Sequence, residues 1–341
     1  MPTLILALPC AQSSVANPMN KVADNYSRRN ILVAGAASAA LAACGQGGKA
    51  ASKGVNLAFQ KNGVMLVAQT KGSLVDPLKS AGITPINWVE FPSGPPLLEA
   101  MAVGSVDLGL TGDTPPIFAQ AAQAPIRYVA QVKLSGKAGG IITPKNSTLT
   151  SLSDLKGKKV CYTRGSSGHN SALLALESVG LFLDQVQSVN LGPADAAAAF
   201  AQGGIDAWVI WDPYYTLAIR DQGARVLSGL DQLGGGASFL LANAKFADTR
   251  PDDLKILLSA IATEGEWCAA NTDIVAEISA KASGLELDLL KDTMKRTDFK
   301  VEPLSDDVLA SQQATADRFA ALGIIPKKIS ILDASWRGWT G

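Results

Sequence analysis

Only one histidine occurs in the 341 residues, His169, and it stands in "TRGSSGHN" (163–170). A single imidazole excludes a histidine-based metal centre and leaves no other histidine to activate a cysteine. The chain has no G-x-S-x-G elbow, no P-loop and no dinucleotide fingerprint followed by an acidic ribose ligand. The chemistry left is binding. A strand-like run, "KKVCYT", leads into the Gly/Ser corner, and a segment of helical apolar spacing leaves it. Such a junction aims backbone N–H groups at whatever lies beyond the helix start, and so can hold an anion without a charged side chain. His169 has two readings there: a ligand contact, or a first-turn residue that frames the corner.

Other segments share this trait. "FQKNG" (59–63) carries Gln60, "FPSGPP" (91–96) carries Ser93 and Gly94, and "LTGDTPP" (110–116) carries Thr111, Gly112 and Asp113. Further on, "LGPAD" (191–195) and "WDPYY" (211–215) follow strand-like runs, the latter with Trp211 and Asp212. Neutral donors with few cations suit a small, permanently ionised monoanion, or a zwitterion whose cationic end meets Asp113 or Asp212. A dianionic phosphate would recruit arginines more densely. Both aspartates precede prolines, so each also reads as a helix cap. Trp208 and Trp211 lie three apart on one strand and therefore face opposite sides. One should pack in the core; Trp211, nearer the strand end, is the candidate wall for an apolar tail. Trp336 and Trp339 read as surface packing.

The elements that must position these residues alternate. Strands are expected near 55–60, 86–91, 107–110, 127–132, 139–143, 159–162, 187–191, 206–211 and 225–228, with helical segments between them, which implies α/β lobes with mostly parallel sheets. From Pro251 to about Leu322 the spacing is helical. An internal repeat is the most useful feature. "GPPLLEAMAVGSVDLGLTGD" (94–113) and "PADAAAAFAQGGIDAWVIWD" (193–212) align without gaps at an offset of 99 residues. Gly104 meets Gly203, Asp107 meets Asp206 and Asp113 meets Asp212. Each copy reads as a helix stopped by glycine, a short strand, then an aspartate at the strand's carboxyl edge. Two lobes presenting strand ends and helix starts to a common cleft follow from the repeat, because ligands of open α/β sheets sit at strand carboxyl ends.

Lys+Arg and Asp+Glu number 30 each. Residues 1–44 hold Lys21, Arg28, Arg29 and Asp24, so the remainder has 27 basic and 29 acidic residues, a net of −2. A weakly acidic body with no basic run argues against nucleic acid. "SRRNILVAGAASAALAAC" (27–44) has the arginine pair, short apolar stretch and small residues of an export leader. It resembles a twin-arginine signal, with Ile31 where the strongest form has Phe. "LAAC" resembles a lipoprotein box that would lipidate Cys44, the alternative being soluble cleavage after an A-x-A triplet such as Ala40–Ala42. Met19 is a second plausible start, and 1–18 is expected to be untranslated. Residues 45–53 read as a tether. Cys161 and Cys268 fit no metal spacing and are expected as buried free thiols.

"WVEFPSGPPLLEAMAVGSVDLGLTGDTPPIFAQAAQAP" resembles the corresponding stretch of aliphatic sulfonate-binding proteins, the extracytoplasmic receptors of ABC importers. "KGKKVCYTRGSSGHN", "PADAAAAFAQGGIDAWVIWDPYY" and "IIPKKI" are similar to that family in the same order, and the resemblance covers about 54–332. It implies a bilobal type II periplasmic-binding-protein fold, with lobe I at 54–143 plus 242–341 and lobe II at 144–241. It implies a monomeric, non-enzymatic periplasmic receptor without cofactor, membrane-associated only through a lipidated Cys44. That receptor would capture alkanesulfonates by cleft closure and deliver them to ABC permease subunits with a cytoplasmic ATPase, for use as a sulfur source. The same fold also serves taurine, nitrate or a thiamine pyrimidine precursor. Enzymes on this scaffold that make thiamine precursors depend on a cysteine-rich motif that is lacking here. Under the resemblance, Ser166, Ser167 and the N–H groups toward His169 hold the sulfonate, with Gly165 and Gly168 allowing close approach; Gln60, Ser93 and Thr111 face them. Arg164 stands where the family often has lysine, and Gly168 where serine is frequent. The first keeps the charge; the second removes a donor.

Overall fold

The structure, a computed structural model, describes residues 53–341 except Gly235. The leader, Cys44, Met19 and all of the tether but Lys53 lie outside the described residues.

The first half runs β1 (Val55–Phe59), α1 (Gly63–Lys71), α2 (Val75–Ser80), β2 (Ile86–Glu90), α3 (Gly94–Ala102), β3 (Leu108–Gly112), α4 (Thr114–Ala121), β4 (Ile126–Leu134) and β5 (Gly139–Thr143). It continues with β6 (Lys159–Tyr162), α5 (Ser167–Glu177), β7 (Gln187–Asn190), α6 (Pro193–Ala201), β8 (Ala207–Trp211), α7 (Tyr214–Gln222), β9 (Arg225–Gly229) and β10 (Gly236–Asn243). The rest is helical: α8 (Ala244–Thr249), α9 (Pro251–Ala270), α10 (Thr272–Ser283), α11 (Leu287–Met294) and α12 (Asp306–Ala321).

Two five-stranded sheets form, in the orders β2-β1-β3-β10-β4 and β7-β6-β8-β5-β9. They share one plan. In each, four strands run one way, and the fourth position is filled by one antiparallel strand, β10 in the first sheet and β5 in the second. The lobe boundaries expected from sequence are therefore corrected. β5 pairs with β8 and β9, and β10 pairs with β3 and β4. The chain crosses at 135–138 and after β9, from Leu230 on, not at 143/144 and 241/242. The physical reason is pairing: all five residues of β5 are buried, which they achieve only in the interior of the second sheet.

The repeat explains how each lobe starts its sheet. α3 and α6 both end in a left-handed glycine, Gly104 (φ 78°) and Gly203 (φ 70°), a geometry any Cβ would strain. The N–H of Ser105 then donates to Ala100 O at 2.9 Å, and that of Gly204 to Ala199 O at 2.8 Å. Two residues further, Asp107 Oδ2 accepts from Asn56 N at 2.7 Å, and Asp206 Oδ2 accepts from Lys159 N at 2.8 Å. The same side chain thus ties the neighbouring strand in both lobes.

Helices cover both faces of each sheet, giving four apolar clusters. α1 is apolar nearly all round, with Val64 to Ala68 all buried, because it lies between β1 and helices α9 and α10. The C-terminal segment bridges to β4 at Tyr128–Ser335 and Gln131–Glu302 and so covers that edge. Trp339 is buried there, donating Nε1–H to Ser259 Oγ at 3.0 Å, which corrects its reading as surface packing. Cys161 and Cys268 are both buried and unpaired. Trp208 packs in the second lobe against Phe200, with ring centroids 5.6 Å apart. Trp208→Ala should therefore destabilise folding by about 3–5 kcal/mol, read as a lowered midpoint in denaturant unfolding.

Candidate functional site

A cavity of about 190 Å³ lies between the two sheets. Its lobe I wall comes from the carboxyl ends of β1 and β3 and the helix starts that follow; its lobe II wall comes from the ends of β6 and β8. Strand register arranges the floor. β10 sets Gly112 of β3 level with Ser238, and Ser238 level with Val132 of β4. Across the cleft, Trp211 stands level with Gly139.

The helix starts differ in what they offer. α1, α3, α4 and α5 all lack a side-chain cap. α3 begins Gly-Pro-Pro and α4 Thr-Pro-Pro, so each has lost two first-turn donors. α5 begins Ser-Gly-His and has lost none. The N–H groups of Ser167 and Gly168 have no partner among the described residues, and neither has Ser167 Oγ. Ser167 presses so closely on Gly112 of lobe I that a Cβ at position 112 would overlap its hydroxyl.

The sequence-predicted residues separate into two sets. Gln60, Gly94, Thr111, Gly112, Ser166, Ser167, Trp211 and Asp212 line the cavity. Gln60 donates to Leu110 O at 3.0 Å and retains a second amide hydrogen; Thr111 donates to Gly112 O at 3.0 Å. Ser166 gives both its N–H (3.1 Å) and its hydroxyl (2.7 Å) to Thr163 O, so its own donors are occupied. Ser93, Asp113, Gly165 and His169 stand behind the lining. Ser93 is buried next to Gly94. Gly165 makes the corner, with φ 76°.

Asp113 does not cap α4, which corrects that reading. Its Oδ2 accepts from Asn170 of lobe II at 2.7 Å, its Oδ1 from Thr114 at 3.0 Å, and its carbonyl from Gln312 at 2.6 Å. Arg318 of α12 in turn donates to Asn170 Oδ1. Asp212 does act as a cap: its carboxylate accepts from Thr216 N at 3.0 Å and from the Thr216 hydroxyl. It also pairs with Arg296 at 3.2 Å. Burial raises the Asp212 carboxyl above its usual range, opposed by Thr216 and Arg296. Both aspartates are thus committed to protein partners.

His169 frames the corner. Its ring stacks on Tyr162 at 4.9 Å with planes 5° apart, and meets Phe118 and Phe319 of lobe I at 6.0 and 5.9 Å. Nδ1 faces the Gly165 N–H at 3.4 Å, where only the neutral ring can accept. Burial, reinforced by Arg164, lowers its pKa to about 4.

Sequence reasoning missed Asn62, Arg296, Thr297 and Asp298. Asn62 donates across the cleft to Asp212 O at 3.0 Å. Asn62, Thr297 and Asp298 line the cavity, and no Lys, Arg or His is among the lining residues. Only Asn62 had a signal, its place in "FQKNG"; the others follow a helix whose apolar spacing says nothing about a cleft. Among the described residues no group of His, Cys, Asp and Glu is arranged to hold a metal.

A family model described as NMT1/THI5 like matches residues 79–273. A protein of Escherichia coli (strain K12) designated as aliphatic sulfonates-binding is 38% identical over 284 residues, 83% of this chain and 88% of its own length. One of Bacillus subtilis (strain 168), with the same designation, is 32% identical over 314 residues, 90% of this chain and 94% of its own. Among solved structures, the alkanesulfonate-binding protein from Xanthomonas axonopodis pv. citri bound to MOPS matches with a TM-score of 0.80 at 36% identity, covering 84% of this chain and 98% of that one. Fold and cleft together define a two-lobed solute-binding protein of the type II periplasmic class. The chain belongs to the NMT1/THI5-like family and, within it, to the aliphatic sulfonates-binding proteins, whose members are receptors and not enzymes.

The buried imidazole makes stability pH-dependent. Its folded pKa of about 4 lies below the unfolded value of 6.5, so the unfolded chain binds the extra proton between these limits. The neutral ring's contribution is complete above pH 6.5 and is lost as pH falls through about 4. Wild type should lose on the order of 2–3 kcal/mol more than His169→Phe over that window, measured by denaturant unfolding at each pH.

Proposed function

We propose that the protein captures aliphatic sulfonates in this cleft, in the periplasm, and delivers them to the permease of an ABC importer. The observation that carries the reading is a cleft with free donors at the start of α5, apolar walls beyond them and no cationic side chain in its lining. A sulfonate offers three acceptor oxygens and one delocalised charge, and it stays ionised at physiological pH. Ser167 Oγ and the N–H groups of Ser167 and Gly168 receive it from lobe II; Gln60 and the helix starts of lobe I close over it. Ser166 shapes the corner through Thr163. Trp211, Val132, Leu134 and Leu230 take the alkyl tail. The relatives designated as aliphatic sulfonates-binding support the same class of ligand.

Delivery requires the permease to distinguish loaded from empty protein. Lobe closure supplies the difference, because Asn62 to Asp212, Arg296 to Asp212 and Asn170 to Asp113 all join one lobe to the other. In this reading a lipidated Cys44 and a short tether keep the receptor near its permease.

Ligand-dependent melting tests the reading, with C1–C8 alkanesulfonates, taurine, nitrate, sulfate and a pyrimidine. A ligand at 100 times its Kd should add roughly 2.7 kcal/mol, raising Tm by at least about 2 °C. Shifts with alkanesulfonates are expected; a shift with nitrate or the pyrimidine alone would replace the ligand. Ser167→Ala should weaken sulfonate binding roughly tenfold by calorimetry, through loss of one hydrogen bond to a charged group. Ser166→Ala should act mainly on stability, by about 1 kcal/mol.

A further inference from the structure

The two strand-end aspartates are both engaged across the cleft, but by different chemistry. On one side Arg296 of lobe I pairs directly with Asp212 of lobe II at 3.2 Å. On the other, an uncharged side chain of lobe II stands between two charges of lobe I. Asn170 is buried in the first turn of α5. Its Nδ2 donates to Asp113 Oδ2 at 2.7 Å, and its Oδ1 accepts from Arg318 Nη2. Asp113 and Arg318 stay neighbours wherever lobe II goes, because α4 and α12 are fastened together within lobe I. Gln312 donates to Asp113 O at 2.6 Å, and the Phe118 and Phe319 rings meet edge-on at 5.8 Å. One amide spans the gap between carboxylate and guanidinium. Arg318 forms no ion pair among the described residues, and its Nε is buried without a hydrogen-bond partner. A guanidinium placed this way is under-satisfied, since its fork fits a carboxylate with two bonds.

We propose that Asn170 is a positioning residue, whose amide enters between Asp113 and Arg318 as the lobes close and replaces an ion pair that those two make in the open form. This rests on the reading of the cleft as a sulfonate site that works by closure. With lobe II away, the guanidinium need move only by the width of the departed amide to offer Nε and Nη2 to the Asp113 carboxylate. Closure exchanges that pair for two bonds through a neutral amide, and forms the Arg296–Asp212 pair on the other side. One ion pair is given up and one is made, so the charges favour neither form strongly and bound sulfonate decides between them. The residue type is specific. An amide presents a donor to the carboxylate and an acceptor to the guanidinium at once; leucine of similar size offers neither, and aspartate would repel Asp113. Asn170 lies three residues beyond Ser167, so the same wedge fixes the helix start that carries the anion donors against lobe I.

The test uses hexane-1-sulfonate with Asn170→Leu and Asn170→Ala, the second keeping the helix if leucine does not fit. Each variant should bind roughly tenfold more weakly by calorimetry. The loss should lie almost wholly in faster dissociation, followed by stopped-flow tryptophan fluorescence, with the unfolding midpoint of the empty protein unchanged. Unaltered affinity, or a loss of empty-protein stability in its place, overturns the positioning role. The exchanged ion pair is tested in empty protein by a double-mutant cycle of Asp113→Asn and Arg318→Met built on Asn170→Ala. The two changes should be non-additive by about fivefold in the unfolding equilibrium constant. Additivity overturns the open-form pair, and the inference with it. Failure of wild type to bind hexane-1-sulfonate overturns the sulfonate reading instead, and the cycle in empty protein then decides the ion pair.

Discussion

A helix start holds an anion well only when water is kept from both. The uncapped donors at α5 belong to lobe II, and the surface that shuts out water belongs to lobe I. The second sheet, β5 to β9, is one continuous stretch of chain, and the first sheet is completed by β10 after it, so two short crossings join the sheets. Gly112 opposite Ser167 lets the walls meet with nothing between them. The prolines that open α3 and α4 remove donors on the lobe I side, where, in the proposed mode of binding, a second full set would compete with α5 for the same three oxygens.

Much of this was legible because it is local. Gly104, Asp107 and Asp113 recur 99 residues later as Gly203, Asp206 and Asp212, and a helix-stop, strand-tie and strand-end aspartate each depend on neighbours close along the chain. Opposite facing of Trp208 and Trp211 follows from strand period alone, and the structure buries the first and lines the cavity with the second. The Gly/Ser corner likewise announced a helix start. What escaped the sequence is what depends on distant segments. The boundary errors at 143/144 and 241/242 arose because β5 and β10 look like any buried strand; which sheet completes them is a matter of pairing. Arg296 and Asp298 reach the cleft from the end of a helical region 84 to 86 residues beyond Asp212, a contact that no local pattern encodes.

Asp113 and Asp212 show how equivalent positions diverge. They align in the repeat and follow equivalent strands, yet only Asp212 caps a helix. At Asp113 the prolines of α4 leave little to cap, and its carboxylate turns to Asn170 of the opposite lobe instead. Asp212 meets Thr216, whose N–H is available, and Arg296 from lobe I balances its charge. The fold supplied two equal places, and the following residues decided which became a cap and which a bridge between lobes. His169 belongs to the same logic. Its value to the corner lies in being neutral, flat and packed between Tyr162 of its own lobe and Phe118 and Phe319 of the other.

In the proposed mode of binding, the absence of a cationic lining residue sets which anions are refused. Sulfate and phosphate carry up to a second charge, and partial charges at helix starts, roughly half a unit each, do not balance it. Asp212 is balanced by Arg296, but Asp298 has no cationic partner among the described residues, so in the proposed reading moving a dianion from water into the closed cleft is opposed by both desolvation and repulsion. Nitrate passes the charge test but leaves the trough between Val132, Leu134 and Leu230 without an apolar partner. An organosulfonate meets both conditions, since its single charge is spread over three oxygens at one end and its carbon chain begins at the sulfur. In the proposed reading charge therefore selects the head and apolar volume the tail, and no arginine is needed for either.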